Sequence, residues 1–251
     1  MVSKFRGRVM LNRIVSCCSV AAALLVVTVI SPVWAQSDKT GLYGSLSIGP
    51  AFLGDMNFAE ASTANLNLNP KTGWVFGGAL GYRLLENIRV EADVSYTAAD
   101  LNGTFQQNVQ AFVPCGEFEG NPCLAPTVDG DVDSFSALAM VYYDFPVNGP
   151  LKPFAGLGIG FADINLDVGT RATLNDGPVS RYSIIDGSDT VMAYRGAVGA
   201  SYNVGIADLS LAYAYTFTGR PSFAGQGTLV TFDFNRKLNS HSVRLALSYN
   251  F

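Results

Sequence analysis

The 251-residue sequence predicts an all-β protein: an eight-stranded antiparallel up-and-down transmembrane β-barrel, preceded by a helical signal peptide. Three observations carry this. After residue 40, apolar or aromatic residues alternate with small or polar ones in eight runs of about 9–14 residues, the length a tilted strand needs to cross a bilayer. The connections between runs alternate between tight turns and long polar segments, as in barrels whose loops all lie at one end. Within the runs the polarity is inverted, because charges share a face with Gly, Ala and Ser that suits a narrow polar lumen. A soluble sandwich or lipocalin-like barrel also alternates, but it would turn those charges to water and the apolar face to a core.

Composition agrees. Charged residues make up 14% and aromatic residues 12%, with 26 Gly, which excludes a disordered chain. The net charge of −4 excludes a nucleic-acid binder held by bulk charge. One His and four Cys leave little for a transition-metal site, and no residue set implies a cofactor.

Residues 1–35 read as a signal peptide and residues 36–251 as the barrel domain. Lys4, Arg6, Arg8 and Arg13 form a basic start, Ile14 to Ile30 is uncharged, and Pro32 breaks the helix before Val33-Trp34-Ala35 and cleavage ahead of Gln36. The length of the apolar run leaves an uncleaved anchor as the rival reading, and Met10 is a second plausible start. Ile14-Val15-Ser16-Cys17 is no lipobox, since the apolar run follows the cysteine instead of preceding it. Loss of residues 1–35 removes basic residues only and makes the remainder more acidic.

The runs follow in order. In the first, Leu42, Leu46, Ile48 and Phe52 alternate with Tyr43, Ser45, Ser47 and Gly49. The second sets Trp74, Phe76, Leu80, Tyr82 and Leu84 against Gly73, Gly77, Ala79 and Arg83. The third sets Ile88, Val90, Ala92, Val94 and Tyr96 against Arg89, Glu91, Asp93, Ser95 and Thr97. Phe135, Ala137, Ala139, Val141 and Tyr143 then oppose Ser134, Ser136, Met140 and Asp144. In the fifth, Ala155, Leu157, Ile159 and Phe161 alternate with Phe154, Gly156, Gly158 and Gly160. Tyr194, Val198, Ala200 and Tyr202 alternate with Arg195, Ala197, Gly199 and Ser201 in the sixth. The seventh pairs Leu209, Leu211, Tyr213, Tyr215 and Phe217 against Asp208, Ser210, Ala212, Ala214 and Thr216. The last pairs Val243, Leu245, Leu247, Tyr249 and Phe251 against Arg244, Ala246, Ser248 and Asn250.

Residues 85–87, 146–150 and 203–205 are the tight turns, while 54–72, 99–132, 169–189 and 218–239 are the long polar loops. This order puts both chain ends on the periplasmic, short-turn side of a bacterial outer membrane. Tyr43, Trp74, Tyr82, Tyr96, Tyr143, Tyr202 and Tyr249 near the run ends suit an interfacial aromatic girdle.

Several of these stretches carry a family resemblance. Gly77-Gly78-Ala79-Leu80-Gly81-Tyr82-Arg83 leads through a tight turn to Arg89-Val90-Glu91-Ala92-Asp93-Val94-Ser95-Tyr96. Pro153 to Gly160, Tyr194 to Tyr202 and Leu245 to Phe251 continue the pattern. Together they resemble the OmpA-like outer-membrane β-barrel domain family in its small stand-alone form, known from alphaproteobacterial surface antigens. The resemblance implies that Leu245, Leu247, Tyr249 and Phe251 form the assembly signal read by the outer-membrane insertion machinery. The sequence departs from the OmpA pattern in stopping at the eighth strand, so no peptidoglycan-binding domain is expected, and a monomer is expected.

Three constellations bear on chemistry. Arg83, Arg89, Arg195 and Arg244 share the inner face with Glu91, Asp93, Asp144 and Asp208. Equal numbers suit a closed ion-pair plug, the alternative being an ion path lined by the same groups. His241 and Ser242 are adjacent, so on a strand they point to opposite faces and cannot share a hydrolytic site. Cys115 and Cys123 lie in the longest loop, where a structural disulfide is expected in preference to a metal pair or redox switch, since no His or further Cys is near in sequence. Gly156-Leu157-Gly158-Ile159-Gly160 sits on a strand with no helix after it, unlike a nucleotide loop. The expected role is therefore structural or surface-interactive, with a lipid-facing wall and with envelope or host partners met through four loops. The runner-up is a narrow passive channel, and no enzyme or nucleic-acid partner is expected.

Overall fold

The computed structural model describes residues 41–54, 56–60, 64–105, 127–172, 180–226, 231–235 and 237–251. The expected signal peptide and both loop cysteines, Cys115 and Cys123, lie outside the described residues. Twelve strands follow one another: β1 (Leu42–Leu53), β2 (Met56–Glu60), β3 (Ala64–Pro70), β4 (Gly73–Leu85), β5 (Ile88–Phe105) and β6 (Thr127–Asp144) come first. Then come β7 (Leu151–Ala172), β8 (Ser180–Asn203), β9 (Ala207–Thr218), β10 (Ser222–Gln226), β11 (Thr231–Asn235) and β12 (Asn239–Asn250). Eight of them, β1, β4, β5, β6, β7, β8, β9 and β12, form a ring in which each pairs antiparallel with the next and β12 returns to β1. Closure removes every sheet edge from the ring, which is what lets strands sit in hydrocarbon without unpaired backbone groups.

All eight runs turn the expected face outward. Leu46, Phe76, Val94, Val141, Leu157, Val198, Leu211 and Leu247 are exposed around the wall, while Asp93, Ser95, Ser136, Arg195, Thr216, Arg244 and Ser248 are buried inside. The turns also fall where expected. Gly205 adopts φ +95 in the β8–β9 turn, a conformation that costs glycine little, and its N–H donates to Asn203 Oδ1 at 3.1 Å.

Four strands differ in extent. Strands β5, β6, β7 and β8 run 18, 18, 22 and 24 residues, well into segments expected to be loops. Short strands β2, β3, β10 and β11 likewise fall within the other two. The cause is a second alternation, opposite in sense to the first. Leu101, Val128, Val132, Ile164, Leu166 and Val168 are buried here. The residues between them, including Asp100, Asp131, Asp167 and Asp186, share the outer face and stand directly opposite one another across β5, β6, β7 and β8. Polar composition marks this stretch as loop only if the aliphatic residue at every second position is overlooked. On β7 the sense reverses between exposed Phe161 and half-buried Asp163, and on β6 between Phe135 and Asp133. That step marks where lipid gives way to water.

Two further corrections concern the interior. Tyr43 is not a girdle residue: it is fully buried, on the same face of β1 as Ser45 and Ser47, and its hydroxyl donates to Glu91 Oε1 at 2.5 Å. The lumen is also not polar throughout, since its loop-end half is filled by a continuous aliphatic cluster that includes Leu101, Val132, Ile164, Leu166 and Leu238.

Candidate functional site

The candidate site is the interior at the turn end, where all eight inward charges converge. In the layer nearest the turns, Arg83 lies 3.0 Å from Asp208 and 3.9 Å from Asp144. Asp208 also accepts from Asn203 Nδ2 at 2.7 Å. Arg89 meets Glu91 at 3.1 Å and Asp144 at 3.2 Å, the latter too bent for a hydrogen bond at Nε. Its guanidinium stacks over the Tyr142 ring at 4.5 Å and Phe154 at 4.8 Å, so the flat faces of the cation are covered as well as its edges.

A second layer lies deeper. Asp93 is shared by Arg195, through a short hydrogen bond from Nη1, and by Arg244 at 3.7 Å. Arg195 also donates to Thr216 Oγ1 at 3.0 Å, Ser95 Oγ at 3.0 Å and Ser136 Oγ at 3.2 Å. Arg244 Nε donates to Ser242 Oγ at 3.2 Å. Burying guanidinium groups is tolerable only with such pairing and hydrogen bonding. The layers divide charge unequally: three carboxylates meet two arginines near the turns, and one carboxylate meets two arginines above.

Tyr43, Tyr142, Ser95, Ser136, Thr216 and Ser242 belong to this network although no charge marks them. Their shared parity with the charged residues is the signal that could have found them. Small residues are needed beside the two tyrosines, because a Cβ at Gly81 would overlap the Tyr43 ring and one at Gly156 the Tyr142 ring. Gly156→Val should therefore push Tyr142 off Arg89 and lower stability by about 1–3 kcal/mol. A urea titration of the folded barrel in liposomes reads that loss, and an unchanged midpoint would contradict the tight fit.

Ser242 faces the lumen, whereas His241 faces outward and bonds through Nδ1 to the Tyr213 hydroxyl. These two residues share no site. Leu245, Leu247, Tyr249 and Phe251 line one outward edge, where the Tyr249 and Phe251 rings meet edge to face at 5.6 Å and Phe251 N donates to Leu42 O at 3.0 Å.

A closed antiparallel ring with an apolar wall and paired charges inside defines an integral β-barrel of the bacterial outer membrane. The chain belongs to the outer membrane protein beta-barrel domain family, whose model matches residues 21–251. It is similar to an outer membrane protein of Gluconacetobacter diazotrophicus, 26% identical over 227 residues. That match takes in 83% of this chain and 53% of the relative, so the chain spans about half the relative's length. An uncharacterized protein of Brucella abortus is 30% identical over 104 residues, 39% of this chain and 34% of that protein. Among solved structures, OprG of Pseudomonas aeruginosa shares the fold with a TM-score of 0.50 at 12% identity, over 84% of this chain and 97% of that one. Neisserial surface protein A reaches 0.49 at 18% identity, over 84% and 97%.

Proposed function

We propose that this protein is a closed outer-membrane scaffold with a structural or surface-contact role, such as envelope integrity, adhesion or host contact. Its turn end lies in the periplasm and its loop end presents the long strands to the exterior. The observation that supports this is the filling of the lumen by two consecutive plugs. The ion-pair network occupies the turn-end half and the aliphatic cluster the loop-end half. An eight-stranded ring has room inside for side chains and little else. The strands that project beyond the lipid are then the surface available to a partner.

Planar-bilayer recording tests the reading. Wild-type protein should give no steady conductance, and Arg195→Ala should raise leakage by opening the ion-pair layer. Uniform ion-selective openings in wild type, with charge variants changing selectivity instead of leakage, would establish a narrow channel in its place.

A further inference from the structure

The lipid-facing wall carries one anomaly. Between Phe251 and Asn239, β12 turns Phe251, Tyr249, Leu247, Leu245 and Val243 outward and then exposes His241, the single histidine of the chain. His241 pairs in register with Phe52 on β1 and Tyr215 on β9, so its neighbours on both sides are aromatic. The Tyr213 hydroxyl bonds to Nδ1, and the Tyr215 ring lies 4.7 Å away at 43°. The bond to Tyr213 occupies Nδ1 and leaves Nε2 for another partner, as donor or acceptor according to the tautomer. Among the described residues, no side chain bonds to that Nε2. An ionisable group on a lipid wall needs a partner, and here the protein supplies only half of one.

Two cations stand just beyond it. Lys237 is exposed two residues before β12, and Arg220 is exposed two residues after β9. The two segments are joined by Thr218 N donating to Leu238 O at 3.2 Å. On the opposite wall, the outer face at this end carries Asp100, Asp131, Asp133, Asp163 and Asp167. An anionic headgroup is thus repelled from β5–β7 and drawn to the β9–β12 side; on β8, nearer the site, Asp189 accepts a hydrogen bond from Ser222 N at 2.8 Å.

We infer that Arg220, Lys237 and His241 form a binding site for a phosphorylated glycolipid of the outer leaflet. The phosphate sits between Lys237 and Arg220, and His241 Nε2 meets a sugar hydroxyl at the head of the acyl chains. The chains lie along Tyr213, Val243 and Leu211. The inference rests on the proposed orientation, with the loop end outside.

The test uses the full chain refolded in phosphatidylcholine nanodiscs doped with bisphosphorylated lipid A, with its dephosphorylated form, or with phosphatidylglycerol. Lipid retained per barrel is read by native mass spectrometry, and the single imidazole by its nitrogen resonances. Bisphosphorylated lipid A should be retained and should shift the imidazole signals, and the other two lipids should do neither. Lys237→Gln and Arg220→Gln should each reduce retention about fivefold, the worth of one cation near an anionic surface. Both side chains are exposed, so heat-modifiable mobility should stay normal. Equal retention of phosphatidylglycerol would reduce the site to bulk charge. Equal retention of the dephosphorylated lipid, or of bisphosphorylated lipid A by both variants, would overturn it. Trypsin cleavage after Lys237 on whole cells checks the orientation separately, so its failure is distinguishable from failure of the site.

Discussion

Alanine at position 93 is expected to be the most damaging truncation in the lumen, lowering stability by about 3–5 kcal/mol, the cost of stripping a buried ion pair of one partner. Asp93 is the one carboxylate reached by both Arg195 and Arg244, and all three residues are buried. The other groups around the two guanidiniums, Ser95, Ser136, Thr216 and Ser242, carry no charge. Removing Asp93 leaves two like charges side by side. Glu91→Ala should cost less, because Arg89 keeps Asp144 at 3.2 Å. Asp93→Asn preserves shape and should still lose most of the stability, which separates charge from packing. Adding Arg244→Met to Asp93→Ala should restore part of it through non-additivity. Urea midpoints in liposomes report all four variants, and equal losses for Asp93→Ala and Glu91→Ala would contradict the shared-carboxylate geometry.

The second large effect is on the wall. Leu247→Arg places a guanidinium on the lipid face of β12, between the middle of the strand and its turn end, at a cost of up to about 2–4 kcal/mol. Asn250→Arg, three residues on, enters the mouth of the lumen, where the native Asn250 Nδ2 already lies 3.5 Å from Asp208 Oδ2. It should fold nearly as well as wild type. The fraction converted to the heat-modifiable form on refolding into liposomes measures the difference, and similar yields would mean that β12 has been assigned the wrong phase.

The ring and its facing were legible because two-residue periodicity encodes sidedness directly. Phe135, Ala137, Ala139, Val141 and Tyr143 define an outward stripe on β6 even though Met140 and Leu138 are apolar as well. What composition obscured was the reach of β5–β8, where Asp and Asn read as loop while Leu101, Ile164 and Leu166 maintain strand periodicity between them. The eight lumen charges were readable from parity alone. Which arginine meets which carboxylate was not, because β5 and β8 approach across the interior and not along any pairing register. Tyr43 shows the limit from the other side. An aromatic near a strand end suggests an interface, yet its parity, shared with Ser45, carries it into the lumen to meet Glu91.

The reversal of polarity along β5–β8 has a mechanical consequence. A strand that is apolar outside up to Phe161 and polar outside from Asp163 onward cannot slide along the membrane normal without taking aspartate into hydrocarbon or aromatic rings into water. Each of the four long strands carries its own version of that step, so together they hold the barrel at one height and resist tilt toward their side. In a thicker membrane the mismatch would be taken up by the bilayer, which would thin around this wall before the strands sank, at fractions of a kcal/mol per Å. The tall wall thereby acts as a depth gauge, setting how far the loop end stands above the headgroups.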